Sequence, residues 1–215
     1  MWMDGGRWRR TAAAVLTAFA LSLFAGKAAL ACRLTVLGDS LAAGYGVAAG
    51  DAFPAKLEAA LRGRGVGCAV LNAGVSGDTS AGGAARLDWV LADRPTHLLI
   101  ELGGNDALRG LPVDQLEANL DQIIRTAKAR GVEVMLAGML APPNLGRVYT
   151  ESFKQVYLDL ARRHDVPLYP FFLDGAVLQN GLMQADGIHP NALGVDIIVE
   201  RITPMVAAFV QDEGA

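Results

Sequence analysis

Two cysteines, three histidines and three tryptophans are all that the 215 residues contain, and basic side chains do not outnumber acidic ones, 19 against 22. Each shortage excludes something. Histidine and cysteine are too few, and nowhere in ligand spacing, to imply a metal, and no cofactor is expected. A net charge of -3 without a basic stripe cannot neutralise a run of phosphates, which argues against a nucleic-acid partner. Neither Gly82-Gly83 nor Gly103-Gly104 is followed by the G-K-[ST] of a phosphate-binding loop. Beyond residue 31 there is no linker, repeat or low-complexity tract, so the chain reads as one globular domain.

The first 31 residues have a different character. Arg7, Arg9 and Arg10 precede an uncharged apolar run from Thr11 to Gly26, and Ala29-Leu30-Ala31 places small residues where a signal peptidase reads. Residues 1–31 are expected to be a secretory signal peptide cleaved after Ala31, leaving 32–215 in the periplasm or outside the cell. A membrane anchor would need about 20 apolar residues and meets Lys27 too early, so no lasting membrane span is expected after cleavage.

Cys32 would then be the first mature residue. A lipobox wants leucine three positions before its cysteine, whereas Ala29 stands there, so lipidation fits less well. Cys32 precedes Gly38 by six residues, as Cys68 precedes Gly74. If the strands ending at these glycines are parallel neighbours, the cysteines face each other and an oxidising compartment would join them. Two buried free cysteines remain the alternative.

Apolar runs at Leu34 to Leu37, Ala69 to Leu71, Leu98 to Leu102, Val132 to Ala137 and Val166 to Tyr169 predict five strands. Between them, Leu116, Leu120, Ile123, Ile124 and Ala127, and then Phe153, Val156, Tyr157, Leu160 and Ala161, repeat at three and four, as helices require. A last helix is expected from about Asn191 to Val210, with a kink at Pro204. Strands alternating with helices predict a three-layer α/β domain with a parallel sheet, its strands covered on both faces. Ligands bind such sheets at the carboxyl edge.

That edge collects the candidate chemistry. Ser40 follows the first strand in Gly38-Asp39-Ser40-Leu41, and Asp186-Gly187-Ile188-His189 comes near the far end. Serine, carboxylate and histidine are the parts of a nucleophilic hydrolase. A lone Asp-Ser after a strand is usually a helix cap, and a lone D-x-x-H is usually a capped turn. Elimination strengthens the reading: His97 starts a strand on the opposite edge and His164 ends a helix, which leaves His189 for base work. Pro190 holds His189 extended; Asp186 can then take its Nδ1 proton, leaving Nε2 to face Ser40. Gly74, through its backbone, and Asn105, through its amide, are expected to join the Ser40 N–H as oxyanion donors. Their plain alternatives are a turn glycine and a loop-stabilising asparagine.

G-D-S-L at 38–41, the glycine of N-A-G at 72–74, G-G-N-D at 103–106 and D-G-I-H-P at 186–190 together resemble the four blocks of the GDSL, or SGNH, hydrolases, and the stretches around them are similar to the periplasmic thioesterase and lysophospholipase branch of that family. The resemblance spans about residues 33–205. It implies a flavodoxin-like sheet of order 2-1-3-4-5 and hydrolysis of esters and thioesters of acyl chains. It also implies Ser40 as nucleophile, His189 as base, Asp186 as its partner, and Gly74 and Asn105 as oxyanion donors. Ala107 to Pro112 would be a mobile loop over an acyl groove.

Groove walls are expected from Leu108, Leu111, Met139, Pro142, Leu145 and Ile188, the segment 138–144 differing from the family in its side chains. The leading expectation is a secreted serine esterase, of the arylesterase, thioesterase or lysophospholipase type, acting as a monomer on a small acyl ester or thioester. A carbohydrate or peptidoglycan O-deacetylase is the runner-up and would want a polar site. A non-catalytic lipid-binding envelope module would show a damaged constellation.

Overall fold

The computed structural model describes residues 31–212. The expected signal peptide therefore lies outside the described residues but for Ala31. Five strands, β1 (Arg33–Gly38), β2 (Ala69–Gly74), β3 (His97–Glu101), β4 (Glu133–Ala137) and β5 (Leu168–Tyr169), form one parallel sheet in the order β2-β1-β3-β4-β5. The apolar runs explain the middle of this sheet, where every residue of β3 is buried. They do not explain β2: it is an edge strand, and Ala69 and Asn72 are exposed. The expectation that all five strands are covered on both faces is corrected there, because β2 has a strand beside it on one side only and its other side is open.

Eight α-helices complete the described residues: α1 (Ser40–Ala43), α2 (Phe53–Gly63), α3 (Ser80–Ala85), α4 (Leu87–Ala92), α5 (Gly104–Leu108), α6 (Val113–Ala129), α7 (Arg147–His164) and α8 (Ala192–Gln211). Helix α2 packs on α8, and α6 packs on α3 and α7, which makes the two helical layers around the sheet. In α6 the residues at three- and four-residue spacing, Leu116, Leu120, Ile123, Ile124 and Ala127, are the buried ones. Each fully buried aliphatic side chain contributes roughly 1.5–3 kcal/mol relative to exposure. Helix α8 starts where Asn191 Oδ1 accepts from the N–H groups of Leu193 and Gly194, at 3.0 Å each, and it runs through Pro204 to Gln211 without ending there.

Register matters more than content. Residue n of β1 pairs with residue n+36 of β2 throughout, from Arg33↔Ala69 to Gly38↔Gly74. Continuing that offset one residue back sets Cys32 beside Cys68, and the two are joined by a disulfide with Cα atoms 4.6 Å apart. On its other side Gly38 pairs with Glu101, so β1 and β3 end level. Because β1 leads outward to β2 on one side while β3 lies on the other, the gap between the ends of β1 and β3 is the topological switch point, where an open parallel sheet leaves a crevice.

Candidate active site

Both loops that flank this crevice are shaped by close packing. Gly38 has no room for a side chain: a Cβ would stand 2.5 Å from Glu101 Oε2 and 2.6 Å from the Ala42 Cβ. The chain therefore turns sharply out of β1. Asp39 caps α1 by accepting the Leu41 N–H on Oδ1 at 3.0 Å, while its Oδ2 accepts from Asn105 Nδ2 at 2.9 Å. One carboxylate thus ties the serine turn to the loop after β3. Burial pushes Asp39 up to about 6, although the hydrogen bonds from Leu41 and Asn105 pull the other way. Beneath it Glu101, fully buried, accepts the Asp39 N–H at 3.2 Å. Burial, and then the nearby Asp39, push Glu101 well above the ordinary carboxyl range, which favours its neutral form.

Ser40 is the first residue of α1, with its side chain free to leave the sheet. Its Oγ lies 2.8 Å from His189 Nε2, and His189 Nδ1 lies 2.7 Å from Asp186 Oδ2. These three residues, separated by up to 149 positions, are the ones the sequence singled out. The histidine is not at a strand end, as the other candidates are. It sits in the long connection between β5 and α8, where Gly187 adopts φ 68° and Asp186 Oδ1 accepts the N–H groups of Ile188 and His189, at 2.9 and 3.0 Å. The same carboxylate therefore shapes the turn with one oxygen and holds the imidazole with the other. The His189 backbone N–H, then the imidazole and the Ile188 N–H, hold Asp186 down to about 2. An ionised Asp186 fixes the ring proton on Nδ1 and turns the Nε2 lone pair toward Ser40. The Tyr45 ring covers the imidazole at 4.5 Å between centroids.

His97 and His164 lie elsewhere. His97 Nδ1 meets Thr96 Oγ1 at 2.7 Å and its ring packs edge-on against Phe209; burial lowers its pKa. His164 Nε2 meets Asp121 Oδ1 at 2.7 Å.

Gly74 does not take the place expected of it. Its N–H donates to Asn72 Oδ1 at 2.8 Å, and a Cβ on it would strike Ala43 N at 2.3 Å. Its smallness serves the packing of α1 on β2. The chain turns again three residues on, at the exposed Gly77, φ 85°, whose carbonyl accepts from Arg109 Nη2 at 2.8 Å. Among the described residues the Gly77 N–H donates to nothing. Sequence reasoning passed over Gly77; the available signal was a glycine inside the polar turn Ser76-Gly77-Asp78-Thr79. Asn105 is placed as expected, at the start of α5 beside Asp39.

From the triad a cavity of ≈ 470 Å³ opens, lined by Leu41, Ala107, Leu108, Met139, Pro142 and Ile188 among others. Leu111 and Leu145 do not line it. The Leu111 carbonyl accepts from the Tyr149 hydroxyl at 2.7 Å, and Leu145 lies in a short turn before α7, near Gly110. In their place the connection after β5 supplies Phe171, Leu173, Val177 and Leu178, the last 93% exposed at the rim. Among the described residues no helix is long and apolar enough to cross a membrane.

The chain is similar to known proteins over most of its length. The family model described as the GDSL-like lipase/acylhydrolase family matches residues 36–197. Esterase TesA of Pseudomonas aeruginosa is 44% identical over 177 residues, covering 82% of this chain and 88% of that protein. Thioesterase 1/protease 1/lysophospholipase L1 of Escherichia coli K12 is 45% identical over 191 residues, covering 86% and 90%. The crystal structure of TesA superposes with a TM-score of 0.79 at 42% identity, over 82% of this chain and 99% of that one.

Proposed function

As this chain belongs to the GDSL-like lipase/acylhydrolase family and is an ester-hydrolysing enzyme, we propose that it cleaves carboxylic esters and thioesters of acyl chains through an acyl-enzyme on Ser40. The observation that carries this reading is the unbroken relay from Ser40 Oγ through His189 to Asp186, at 2.8 and 2.7 Å. Nε2 takes the hydroxyl proton as Oγ attacks the acyl carbonyl, and Asp186 stabilises the imidazolium that forms. The oxyanion is met by the Ser40 N–H, by the second hydrogen of Asn105 Nδ2 and by the Gly77 N–H, which replaces Gly74 in that role. As the tetrahedral adduct collapses, the bond to the leaving group breaks and imidazolium gives its proton to the departing alkoxide or thiolate, which leaves as alcohol or thiol and returns His189 to its neutral form. Water then attacks the acyl-serine by the same route, releasing the acid and restoring Oγ–H.

Apolar lining of the cavity favours acyl chains over the acetylated sugars of a deacetylase, because each buried methylene is worth about 0.8 kcal/mol while an unpaired sugar hydroxyl would cost. An intact relay disfavours a non-catalytic module. Residues 1–31 act in this reading as a removed leader, and 32–215 work as a monomer in the periplasm or outside the cell. The charge pattern of the leader supports that, as does a disulfide, which persists in oxidising compartments. The test is a rate series on p-nitrophenyl esters from acetate to palmitate, with an acyl thioester and an acetylated sugar alongside. Esters of longer acyl groups should outpace acetate; preference for acetate and acetylated sugar would make the deacetylase the better reading.

A further inference from the structure

Ser40, at the start of α1, and His189, in the connection after β5, come from segments that no strand pairs together, so something must hold the gap between them at hydrogen-bond length. Besides their own contact and the Tyr45 ring, the side chain of Gln184 spans it by hydrogen bonds. Gln184 Nε2 lies 2.7 Å from the Tyr45 carbonyl, just past α1 on the serine side, and 3.0 Å from the Pro190 carbonyl, just past the histidine. Both neighbours are acceptors only, so the amide nitrogen must face them and both its hydrogens are used. The Gln184 backbone joins in, its N–H donating to the His189 carbonyl at 2.8 Å and its carbonyl accepting the Gly187 N–H at 3.0 Å. On the far side the amide oxygen rests against Gly46, where φ is 73° and a Cβ would come within 2.1 Å of it.

We propose that Gln184 is a positioning residue for the reaction: its amide cross-links the carboxyl end of the serine helix to the histidine turn and so sets the distance over which His189 takes the proton. The proposal rests on the triad reading above. Gln184 touches neither the reacting atoms nor the cavity wall, so its influence passes through His189 and falls on turnover rather than on substrate affinity. A glutamate in its place keeps the shape but sets a carboxylate against two carbonyl oxygens, whereas leaving it out altogether removes the link without repulsion.

Full-length protein processed by its host, and its Gln184→Glu and Gln184→Ala variants, would be compared by steady-state kinetics on p-nitrophenyl acetate and butyrate. The rate of Ser40 labelling by a fluorophosphonate would be measured on the same samples, with folding checked by circular dichroism. For folded variants the expected result is a fall in kcat of about tenfold or more with KM within about twofold, and a parallel fall in labelling rate, larger for Glu than for Ala. The labelling rate reports activation of the serine itself, which a general loosening of the groove would not slow in step with kcat. If either variant folds and keeps kcat and labelling within about threefold of the parent, or if KM rises while kcat holds, Gln184 is not a positioning residue. A parent that turns over ester with no label on Ser40 overturns the triad reading instead, and this proposal with it.

Discussion

Asp39, Asp186 and Glu101 are three carboxyl groups within one site, and their surroundings give them different work. Asp186 is exposed and held by three donors, so it stays ionised and orients the histidine. Asp39 is 2% exposed and serves as a clamp between the serine turn and Asn105. Glu101 lies deeper and carries the clamp's own N–H. One hydrogen of the Asn105 amide nitrogen fixes the loop to Asp39, and in the proposed mechanism the other meets the oxyanion. Replacing Asn105 by Ala should lower kcat on the order of a hundredfold, the usual cost of one oxyanion donor, in protein that remains folded. A loss below about threefold would leave Asn105 with only the loop-holding duty.

At the scale of elements, the site is set by how strands end. The constant offset of 36 residues between β1 and β2 aligns Gly38 with Gly74 and Cys32 with Cys68. The disulfide ties the amino-terminal end of β1 to its edge-strand neighbour, closing a loop that contains α2. Loop-closure entropy over that length corresponds to about 4 kcal/mol at most, with native disulfides typically giving 2–4. Cys68→Ser should thus lower the unfolding free energy by about 2–4 kcal/mol in denaturant titration, without changing KM for a short ester, since the bond lies at the opposite edge of the sheet from Ser40. An unchanged denaturation midpoint would mean that the pairing carries no stability. This facing pair was legible in the sequence because equal spacing to two strand-ending glycines is a register statement. Gly74 was misread for a related reason: spacing locates a glycine at a strand end but not which way its N–H points, and here it points to Asn72. The wall formed by Phe171, Leu173, Val177 and Leu178 was not legible either. It belongs to a connection without periodicity, and only the packing of that connection over the crevice brings it to Ser40.

Across the whole molecule, the same buried groups that serve the site weigh on stability. The folded state raises Asp39 from its ordinary 3.8 to about 6, so between those values the folded chain holds the proton that the unfolded chain has lost. Stability from this residue is fully present below about pH 3.8 and is lost as pH rises through 6. The two-unit shift of this buried group amounts to roughly 2–3 kcal/mol. Asp186 acts oppositely, its lowered value favouring the fold as pH rises from about 2 to 3.8. The difference in Tm between Asp39→Asn and the parent should therefore move in the variant's favour by several degrees between pH 4 and pH 7.5, at about 2–4 °C per kcal/mol for a domain of this size. A difference that stays flat over that range would show that Asp39 titrates as an exposed carboxyl does. The five strands and the flanking helical layers could be read from continuous apolar runs and helical spacing, which are local signals, and Ser40, Asp186 and His189 from short motifs, whereas the order of strands came only with the family resemblance, because local runs do not say which strands lie side by side.

All of this depends on one atom, Ser40 Oγ, being the nucleophile. Treating the folded protein with a fluorophosphonate and mapping the modified peptide, while following hydrolysis of p-nitrophenyl butyrate, tests it directly. The account predicts stoichiometric label on Ser40, loss of turnover in step with labelling, and neither label nor turnover in Ser40→Ala. Turnover that survives complete labelling, or that persists in Ser40→Ala, would contradict it.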